Sequence, residues 1–470
     1  MGHKLLIACL CLIILPVSVA SETKPNIILL IGNDHGAPYF GFMGDKHVYT
    51  PNMDFLANNG VTFTQGYSSA NHCRPSQRTL ITGLHPVQYQ QQLLEIIDKK
   101  RAAEIKYANF NAKEKSMWTT LMHAEGMKEF DTLPKLLNEQ GYVSWQGGIW
   151  WENSYKNGHF THGMTKGMDM DKFARDDFFF EMMGSEGVEL GRGTMAPLFD
   201  FISQNKDKPF FVWYSPALPH SPFNAPAEHA KHYEDKYISD SAKLYYANIT
   251  WWDHGVGQVI DHVKKEGILE NTVFIYINDN GWVQEPDAEY KQENHNLHTD
   301  INLNHGGEKG KLGLYNQSFL TPVIFYWNNR FQHNTDNSTL VSMEDIFPTI
   351  LDLAGIENEK LSSELPGFSL KPILEGETTD LRDAIVGYTH QRRNEQSAIG
   401  TRAEGYYVRK DNWFFRWYKD IDIMELYDVN ADPHSNDNVI SKFPHLIDGF
   451  KTQVEDWKES IDMIEAIPLS

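Results

Sequence analysis

The chain has 470 residues, of which 41% are hydrophobic and 13% aromatic, enough for one large globular domain or two with a sizeable core. Sixty-three acidic against 42 basic side chains leave a formal net charge of −21, which argues against nucleic acid as a partner. The same charge means that an anionic substrate needs positive charge supplied locally at its site.

In chain order, residues 1–20 read as a signal peptide: Lys4, an apolar run over 5–17, then Ser18-Val19-Ala20 as a small-residue cleavage site. No later segment approaches the ~18 apolar residues of a membrane span. The mature chain is therefore expected to be soluble and exported, either periplasmic or secreted. Cys9 and Cys11 leave with the signal peptide, so Cys73 is the single thiol of the mature chain and forms no internal disulfide. A lone thiol kept in an oxidising compartment asks for a reason, and chemistry at that position is one.

Five short apolar runs, 27–31, 142–145, 210–214, 273–277 and 323–326, read as buried parallel strands. Amphipathic stretches between them favour an α/β sheet covered on both faces. In the clearest, 244–265, Ile249, Trp252, Val256, Val259, Ile260 and Val263 recur at helical spacing. Residues 87–128 also read as helix, and so do 343–353. From about 384 the texture changes to short aromatic and β-branched runs at 384–388, 405–409, 413–418 and 426–429. These predict a smaller antiparallel sheet, followed by a terminal helix over 446–464. The expected organisation is a catalytic α/β domain over 21–383 and a C-terminal subdomain over 384–470. Asn248, Asn316 and Asn337 begin N-x-S/T sequons.

Polar clusters follow three of the strands: Asn33-Asp34-His35-Gly36, Pro219-His220 and Asp279-Asn280-Gly281. Ligands of open α/β sheets bind at the carboxyl ends of strands, so these clusters are expected to meet in one crevice. In the segment 73–83, Pro75 and Ser76 suit a helix's first turn and Gly83 suits its end. Cys73 then falls at a helix N-terminus, where free N–H groups and the dipole favour a nucleophile or a bound anion. The alternative is a small apolar cysteine packed at a turn.

With these motifs in order, the chain resembles type I sulfatases of the alkaline phosphatase superfamily over most of 25–430. Lys24-Pro25-Asn26 through Asn33-Asp34 is similar to the opening strand and metal turn. Thr50-Pro51-Asn52-Met53-Asp54 through Gly60-Val61-Thr62-Phe63 is similar to the helix before the nucleophile. Cys73-x-Pro75-Ser76 to Leu80-x-Thr82-Gly83 resembles the sulfatase signature, and Pro219-His220-x-Pro222 the family's P-H-x-P. Asn271-Thr272-Val273 through Asp279-Asn280-Gly281 resembles the second metal turn. Glu425-Leu426-Tyr427-Asp428 with Ala431-Asp432-Pro433 resembles the C-terminal signature.

The resemblance implies an alkaline-phosphatase-like α/β fold: a large, mostly parallel sheet flanked by helices, plus a smaller C-terminal antiparallel subdomain. It implies that a maturation enzyme oxidises Cys73 to formylglycine, whose hydrated aldehyde attacks sulfur. It implies Ca²⁺, with Mg²⁺ as the alternative, held by Asn33, Asp34, Asp279, Asn280 and the group at position 73; the four side chains are the oxygen donors a hard cation takes. His220 corresponds to the histidine near the leaving-group oxygen. Lys311, four residues before Tyr315, corresponds to the sulfate-binding lysine, with Lys309 as the other candidate. The expected activity is hydrolysis of a sulfate ester of a carbohydrate or another alcohol. The alternatives are a catalytically impaired member that binds sulfated ligands, and a phosphodiesterase or phosphonate hydrolase of the same superfamily.

Three positions depart from that pattern. Asn33 stands where the first metal turn usually has aspartate. Gln77 stands at the arginine of C-x-P-S-R, with Arg78 one residue on and hence on another helix face. Gly148-Ile149-Trp150-Trp151-Glu152 stands where the family commonly has G-K-W-H-L. Lys156, His159 and His162 are the nearby candidates for the missing charge, and Trp150 and Trp151 are candidates for stacking on a sugar ring or for packing. Selectivity is expected in loops such as 87–128 and 284–308.

Overall fold

The computed structural model describes residues 24–168, 178–238, 240–282, 309–357, 361, 363–377, 381–391 and 403–463. The segment read as a signal peptide, its two cysteines and the loop 284–308 lie outside them.

All five predicted strands form. They correspond to β1 (Asn26–Gly32), β3 (Val143–Gly148, one residue later at its start and three at its end than the run 142–145), β5 (Phe210–Ser215), β6 (Thr272–Asn278) and β7 (Leu320–Trp327). The sheet also contains β2 (Val61–Tyr67), β4 (His162–Gly163), β8 (Asn334–Asp336) and β9 (Val341–Ser342). Among the described residues the order is β4-β3-β5-β1-β6-β7-β2-β8, with β9 also pairing β2. Most pairings are parallel, but β7 runs antiparallel to both β6 and β2, which corrects the expectation of a fifth parallel strand. A run buried on both faces has no polar side and reads the same in either direction, so its apolar pattern says nothing of orientation. β2 does not stand out in the sequence because Thr62, Thr64, Gln65 and Gly66 break up its apolar run.

The longer helices are α1 (Pro51–Asn59), α2 (Cys73–Thr82), α3 (Pro86–Ala103), α4 (Ala112–Glu125), α5 (Leu133–Glu139), α6 (Ala196–Asn205), α7 (Asp240–Lys265), α8 (Ile346–Leu353) and α9 (Ile447–Ser460). The stretch 87–128 is thus two helices, not one. Asn111 starts the second: its side chain accepts from the Glu114 N–H while Glu114 accepts from the Asn111 N–H, a reciprocal cap that satisfies two otherwise orphaned donors.

Alternation along β1 sends side chains to opposite layers. Ile27, Leu29 and Ile31 pack with Leu80, Ile81 and Phe347 of α2 and α8. Ile28 and Leu30 pack with Trp252, Val256 and Val259 of α7. Helices therefore cover both faces.

A second sheet, β10 (Ala384–Gln391), β11 (Ala403–Lys410), β12 (Trp413–Tyr418) and β13 (Ile423–Asp428), is antiparallel throughout. Phe450 and Val454 of α9 pack on its Tyr406 and Phe415. The other face of this sheet meets the large one through Tyr67, Phe319, Tyr407 and Phe414. Arg409 Nε donates to Tyr67 Oη at 2.9 Å across that seam.

Candidate functional site

Three adjacent strands, β5, β1 and β6, end at the same edge, and their trailing loops are tied by backbone bonds. Asn33 N–H donates to Leu218 O at 3.2 Å, and Asp279 N–H donates to Gly32 O at 3.0 Å. Gly32 permits this approach: a Cβ there would lie 2.5 Å from Asn278 Oδ1. The expected crevice at the strand ends forms because the strands that carry the polar clusters are neighbours.

Helix α2 enters the crevice with Cys73 as its first residue, after an extended His72 (φ −157°, ψ 163°). Pro75 falls in the first turn, where no N–H is needed. Gly83 ends the helix at φ +73°, its N–H bonded to Thr79 O, and a Cβ there would sit 2.7 Å from the Phe347 ring. Every residue of α2 except Arg74 is buried, so the position of Cys73 is set by packing along the whole helix.

Around Cys73 the structure gathers most of the residues read from the sequence. Asp34, Cys73 and Asp279 each place one ligand atom within 4.8 Å of the others. Cys73 Sγ is 3.6 Å from Asp34 Oδ1. Lys311 Nζ donates to both Asp34 oxygens, at 2.7 and 2.9 Å, and lies 3.1 Å from Cys73 Sγ. His220 Nε2 is 3.5 Å from Asp34 Oδ2, while its Nδ1 lies 2.7 Å from Ser221 O. That carbonyl can only accept, so it places a proton on Nδ1 and leaves Nε2 facing the cluster.

Electrostatics at this point is strained in a consistent sense. Burial and the nearby Asp34 push the Asp279 carboxyl up. Burial and Asp279 likewise push the Cys73 thiol up, against the pull of Lys311. Burial opposes ionisation of Asp34 too, yet Lys311 and His220 outweigh it and hold that carboxyl low. Two buried carboxylates and a thiol with one lysine between them form a site short of positive charge.

A divalent cation fits that shortage. Asn280 Nδ2 donates to Asp34 Oδ1 and Gly281 O, and its Oδ1 is buried without a hydrogen-bond partner. Asn33 Nδ2 donates to Ser215 Oγ and Pro216 O, which turns Oδ1 toward the cluster. Side-chain oxygens of Asn33, Asp34, Asp279 and Asn280 are the donor type of Ca²⁺ or Mg²⁺, and a buried amide oxygen with no donor is the kind of atom a cation satisfies.

The remaining sequence candidates sort clearly. Lys309 donates to His434 O and reaches Asn436, away from Cys73, so Lys311 is the lysine of the crevice. Arg78 does not replace the arginine at the Gln77 position. Its Nε donates to Glu152 Oε1 at 2.8 Å, and its guanidinium lies over the Tyr89 ring. Arg74 is bound to the same Glu152 by two bonds of 2.9 Å. Ile149 is buried among Met183, Val188 and Ala217. Trp150 packs against Phe160 and Trp213 in the core and so offers no face to a sugar. Lys156 is exposed, His159 pairs with Thr132 Oγ1, and His162 stands on the edge strand β4 beside Phe201. None of these three joins the cluster at Cys73.

Three residues at the site were not read from the sequence. Ser215, the last residue of β5, accepts from Asn33. Arg192 and Asn248 both donate to the loop that carries His220. Only the position of Ser215 at a strand end gave any signal. Arg192 and Asn248 are distant in sequence from everything they touch.

A mostly parallel α/β sheet with a thiol at a buried helix N-terminus, beside two carboxylates and a lysine, has the site of an α/β enzyme at the carboxyl ends of its strands, and the relatives define that enzyme as a hydrolase of sulfuric esters. Residues 25–356 match the family model described as Sulfatase, and residues 307–460 match N-sulphoglucosamine sulphohydrolase, C-terminal. The chain belongs to the sulfatase family. It is 22% identical over 502 residues to an arylsulfatase of Clostridium perfringens, covering 94% of this chain and 93% of that one. It is 23% identical over 521 residues to an N-acetylglucosamine-6-O-sulfatase of Bacteroides thetaiotaomicron, covering 90% and 84%. Among solved structures it is similar in fold to Ps i-CgsB in complex with k-i-k-neocarrahexaose, with a TM-score of 0.69, 21% identity and 93% of each chain covered. Among the described residues no helix is long and apolar enough to cross a membrane.

Proposed function

We propose that the chain removes sulfate from a sulfated carbohydrate through a group formed at Cys73, with a divalent cation, Ca²⁺ before Mg²⁺, beside it. The observation that carries the reading is the convergence at the N-terminus of α2 of Cys73, Asp34 and Asp279, with ligand atoms within 4.8 Å of one another, and of Lys311, bonded to Asp34 and to Cys73. Carbohydrate is preferred over other esters because an N-acetylglucosamine-6-O-sulfatase and a sulfatase-fold protein solved with a neocarrahexaose are both similar along nearly the whole chain.

Formylglycine at position 73 would supply a hydrated aldehyde as nucleophile, and the cation held by Asn33, Asp34, Asp279 and Asn280 would neutralise charge on the sulfate oxygens. The chain's own residues supply the rest. Lys311 Nζ lies between Asp34 and position 73, where it offers an N–H to an oxygen of the sulfate and keeps Asp34 ionised. The α2 N-terminus adds its free N–H groups. His220, with its Nδ1 proton tied to Ser221 O, presents Nε2 to the leaving alcohol oxygen; in the doubly protonated ring Nε2 gives its proton to that oxygen as the S–O bond breaks, and Nδ1 keeps the other. Export, a maturation enzyme that reads the segment from Cys73 to Gly83, and separation of the β10–β13 region as a subdomain from about 384 belong to the same reading.

A specific observation favours one second reading, a protein that binds sulfated ligands without turning them over. Both arginines of α2 are consumed by Glu152, and Ile149 is apolar, so among the described residues Lys311 and His220, with the cation, are left to neutralise the ester.

Mass spectrometry of the peptide containing Cys73, purified from a host that matures other sulfatases, decides between them. Formylglycine, together with turnover of a sulfated sugar that Cys73→Ala abolishes, is the expected result. Unmodified cysteine with saturable binding and no turnover supports the second reading. Faster cleavage of a matched phosphate ester than of the sulfate ester would overturn both in favour of phosphoester chemistry.

A further inference from the structure

The loop that carries His220 has an unusual number of its backbone carbonyls held by side chains of other elements. Arg192, in the turn before α6, donates from Nε to Ala217 O at 2.8 Å and from Nη2 to His220 O at 2.6 Å and Pro222 O at 3.2 Å. Its Nη1 donates to Asn224 Oδ1 at 2.8 Å, and its guanidinium lies 5.3 Å from the Trp251 ring centroid. From α7, Asn248 directs Nδ2 at Pro219 O, His220 O and Pro222 O, at 3.3, 3.2 and 3.1 Å. His220 O therefore receives donors from both, one for each of its lone pairs.

Asn248 was singled out in the sequence as the start of a sequon. It is 0% exposed, so no glycan reaches it, and its Nδ2 is directed at carbonyls of this loop. A planar fork with five fixed donors suits Arg192 for gripping several carbonyls at once, which an ammonium does not reproduce.

We propose that Arg192 and Asn248 are positioning residues for His220. They act through the backbone of residues 217–224 to hold Nε2 where the leaving oxygen forms. This rests on the role given to His220 under the proposed function. The chemistry specifies what displacement does. When the S–O bond breaks, its electron pair leaves on the alcohol oxygen; His220, having taken a second proton from solvent on Nε2, gives that proton to the oxygen and returns to the neutral ring with its proton on Nδ1. A leaving group that is stable as an anion needs that proton little; an alkoxide needs it fully. A histidine held off position is therefore felt only where the leaving group is poor. A purely structural role would slow every substrate alike.

The experiment uses the full chain and the variants Arg192→Lys, Arg192→Ala and Asn248→Ala. Rates are measured on 4-nitrophenyl sulfate, on phenyl sulfate and on an alkyl sulfate, with hydrogen exchange of the amides in 216–224 followed alongside. The expected result is a kcat lowered about 100-fold on the alkyl ester but less than about 5-fold on the nitrophenyl ester, with KM little changed, a spread within the range of general-acid contributions. Arg192→Lys should resemble Arg192→Ala, and exchange in 216–224 should speed up. Equal losses on all three esters would overturn the proposal, and so would unchanged exchange. If the unaltered chain cleaves no sulfate ester, the proposed function fails, and exchange in 216–224 still decides whether the clamp exists. Should Arg192→Ala not fold, Asn248→Ala retains the arginine and carries the test.

Discussion

Gln77 Nε2 donates to Asn33 Oδ1 at 2.9 Å, which joins two of the chain's departures from the sulfatase pattern into one neutral pair. The same Nε2 lies 3.4 Å from Asp279 Oδ2 and from Ser215 Oγ. At the two positions where the resemblance implies an aspartate and an arginine, this chain has an amide at each. One negative and one positive charge are absent together, so the double replacement leaves the net charge of the crevice, and its shortage of positive charge, unaltered.

This pair makes a prediction that runs against simple charge counting. Asn33→Asp adds a carboxylate to a cation site, which should tighten binding. Here it also replaces an N–H donor that faces Pro216 O at 2.8 Å with a second acceptor. The variant should therefore lower the unfolding temperature in the absence of cation. Gln77→Leu, which removes a partner orienting a proposed ligand, should weaken Ca²⁺ binding by about 10–100-fold. Calorimetric titration with Ca²⁺ and thermal unfolding in chelator check both. Tighter binding by Gln77→Leu would show that the pair has no orienting role.

Glu152 is the buried counter-charge of Arg74 and Arg78, with side-chain exposures of 3%, 12% and 3%. Glu152→Gln leaves two guanidinium groups without it, and should cost about 3–5 kcal/mol at neutral pH. Burial alone would raise the Glu152 carboxyl, but the two arginines outweigh it and hold it at about 2, below its ordinary 4.5. A folded value below the unfolded one means stability that is present above pH 4.5 and is lost as pH falls through about 2. The gap between the unaltered chain and Glu152→Gln should thus close between those limits. Denaturant unfolding at neutral pH and near pH 3 reads it; a gap that widens on acidification would contradict the assignment.

Lys311 is the one lysine of the described residues that touches Cys73. Its replacement by alanine should lower kcat on a sulfate ester by about 10²–10³-fold, the usual loss of a donor aimed at developing charge. Arginine should not restore the rate, because its planar fork cannot sit as a point between Asp34 and position 73. Steady-state kinetics of both variants, compared with Lys309→Ala, checks the choice between the two lysines. Lys309→Ala should be close to unaltered, since Lys309 is spent on His434 and Asn436.

Of the three sequons, Asn248 is 0% and Asn316 4% exposed, and Tyr67 Oη donates to Asn316 at 2.7 Å. Asn337 is exposed. Expression through a eukaryotic secretory pathway should place a glycan on Asn337 alone, as read by peptide mass spectrometry. Occupancy at Asn248 would mean that α7 is not packed on the His220 loop during folding.

The site was legible where function is carried by chain-local features. A polar pair after an apolar run marks a strand end, and proline two residues after a cysteine, with glycine ten after it, marks a helix with that cysteine first. Asn33, Asp34, Asp279, Asn280, Cys73 and His220 stand out that way and do gather in one crevice, and Lys311, which joins them, stands out only through the family resemblance, by its spacing before Tyr315. The antiparallel direction of β7 was not legible, because burial on both faces erases the alternation that tells a strand how it lies. Nor was the fate of Arg78, whose partner Glu152 lies 74 residues away.

The lone thiol at the start of α2, the acidic turns after β1 and β6 and the order of the motifs were fixed by local sequence, because strand ends, caps and turns are set by residues within a few positions of one another. Tertiary structure alone decided that Gln77 completes Asn33, that Arg74 and Arg78 are consumed by Glu152 rather than offered to a substrate, and that Arg192 and Asn248 grip the loop of His220. Those outcomes depend on which strands become neighbours, and a charge or an amide in a sequence does not say which partner will be buried against it.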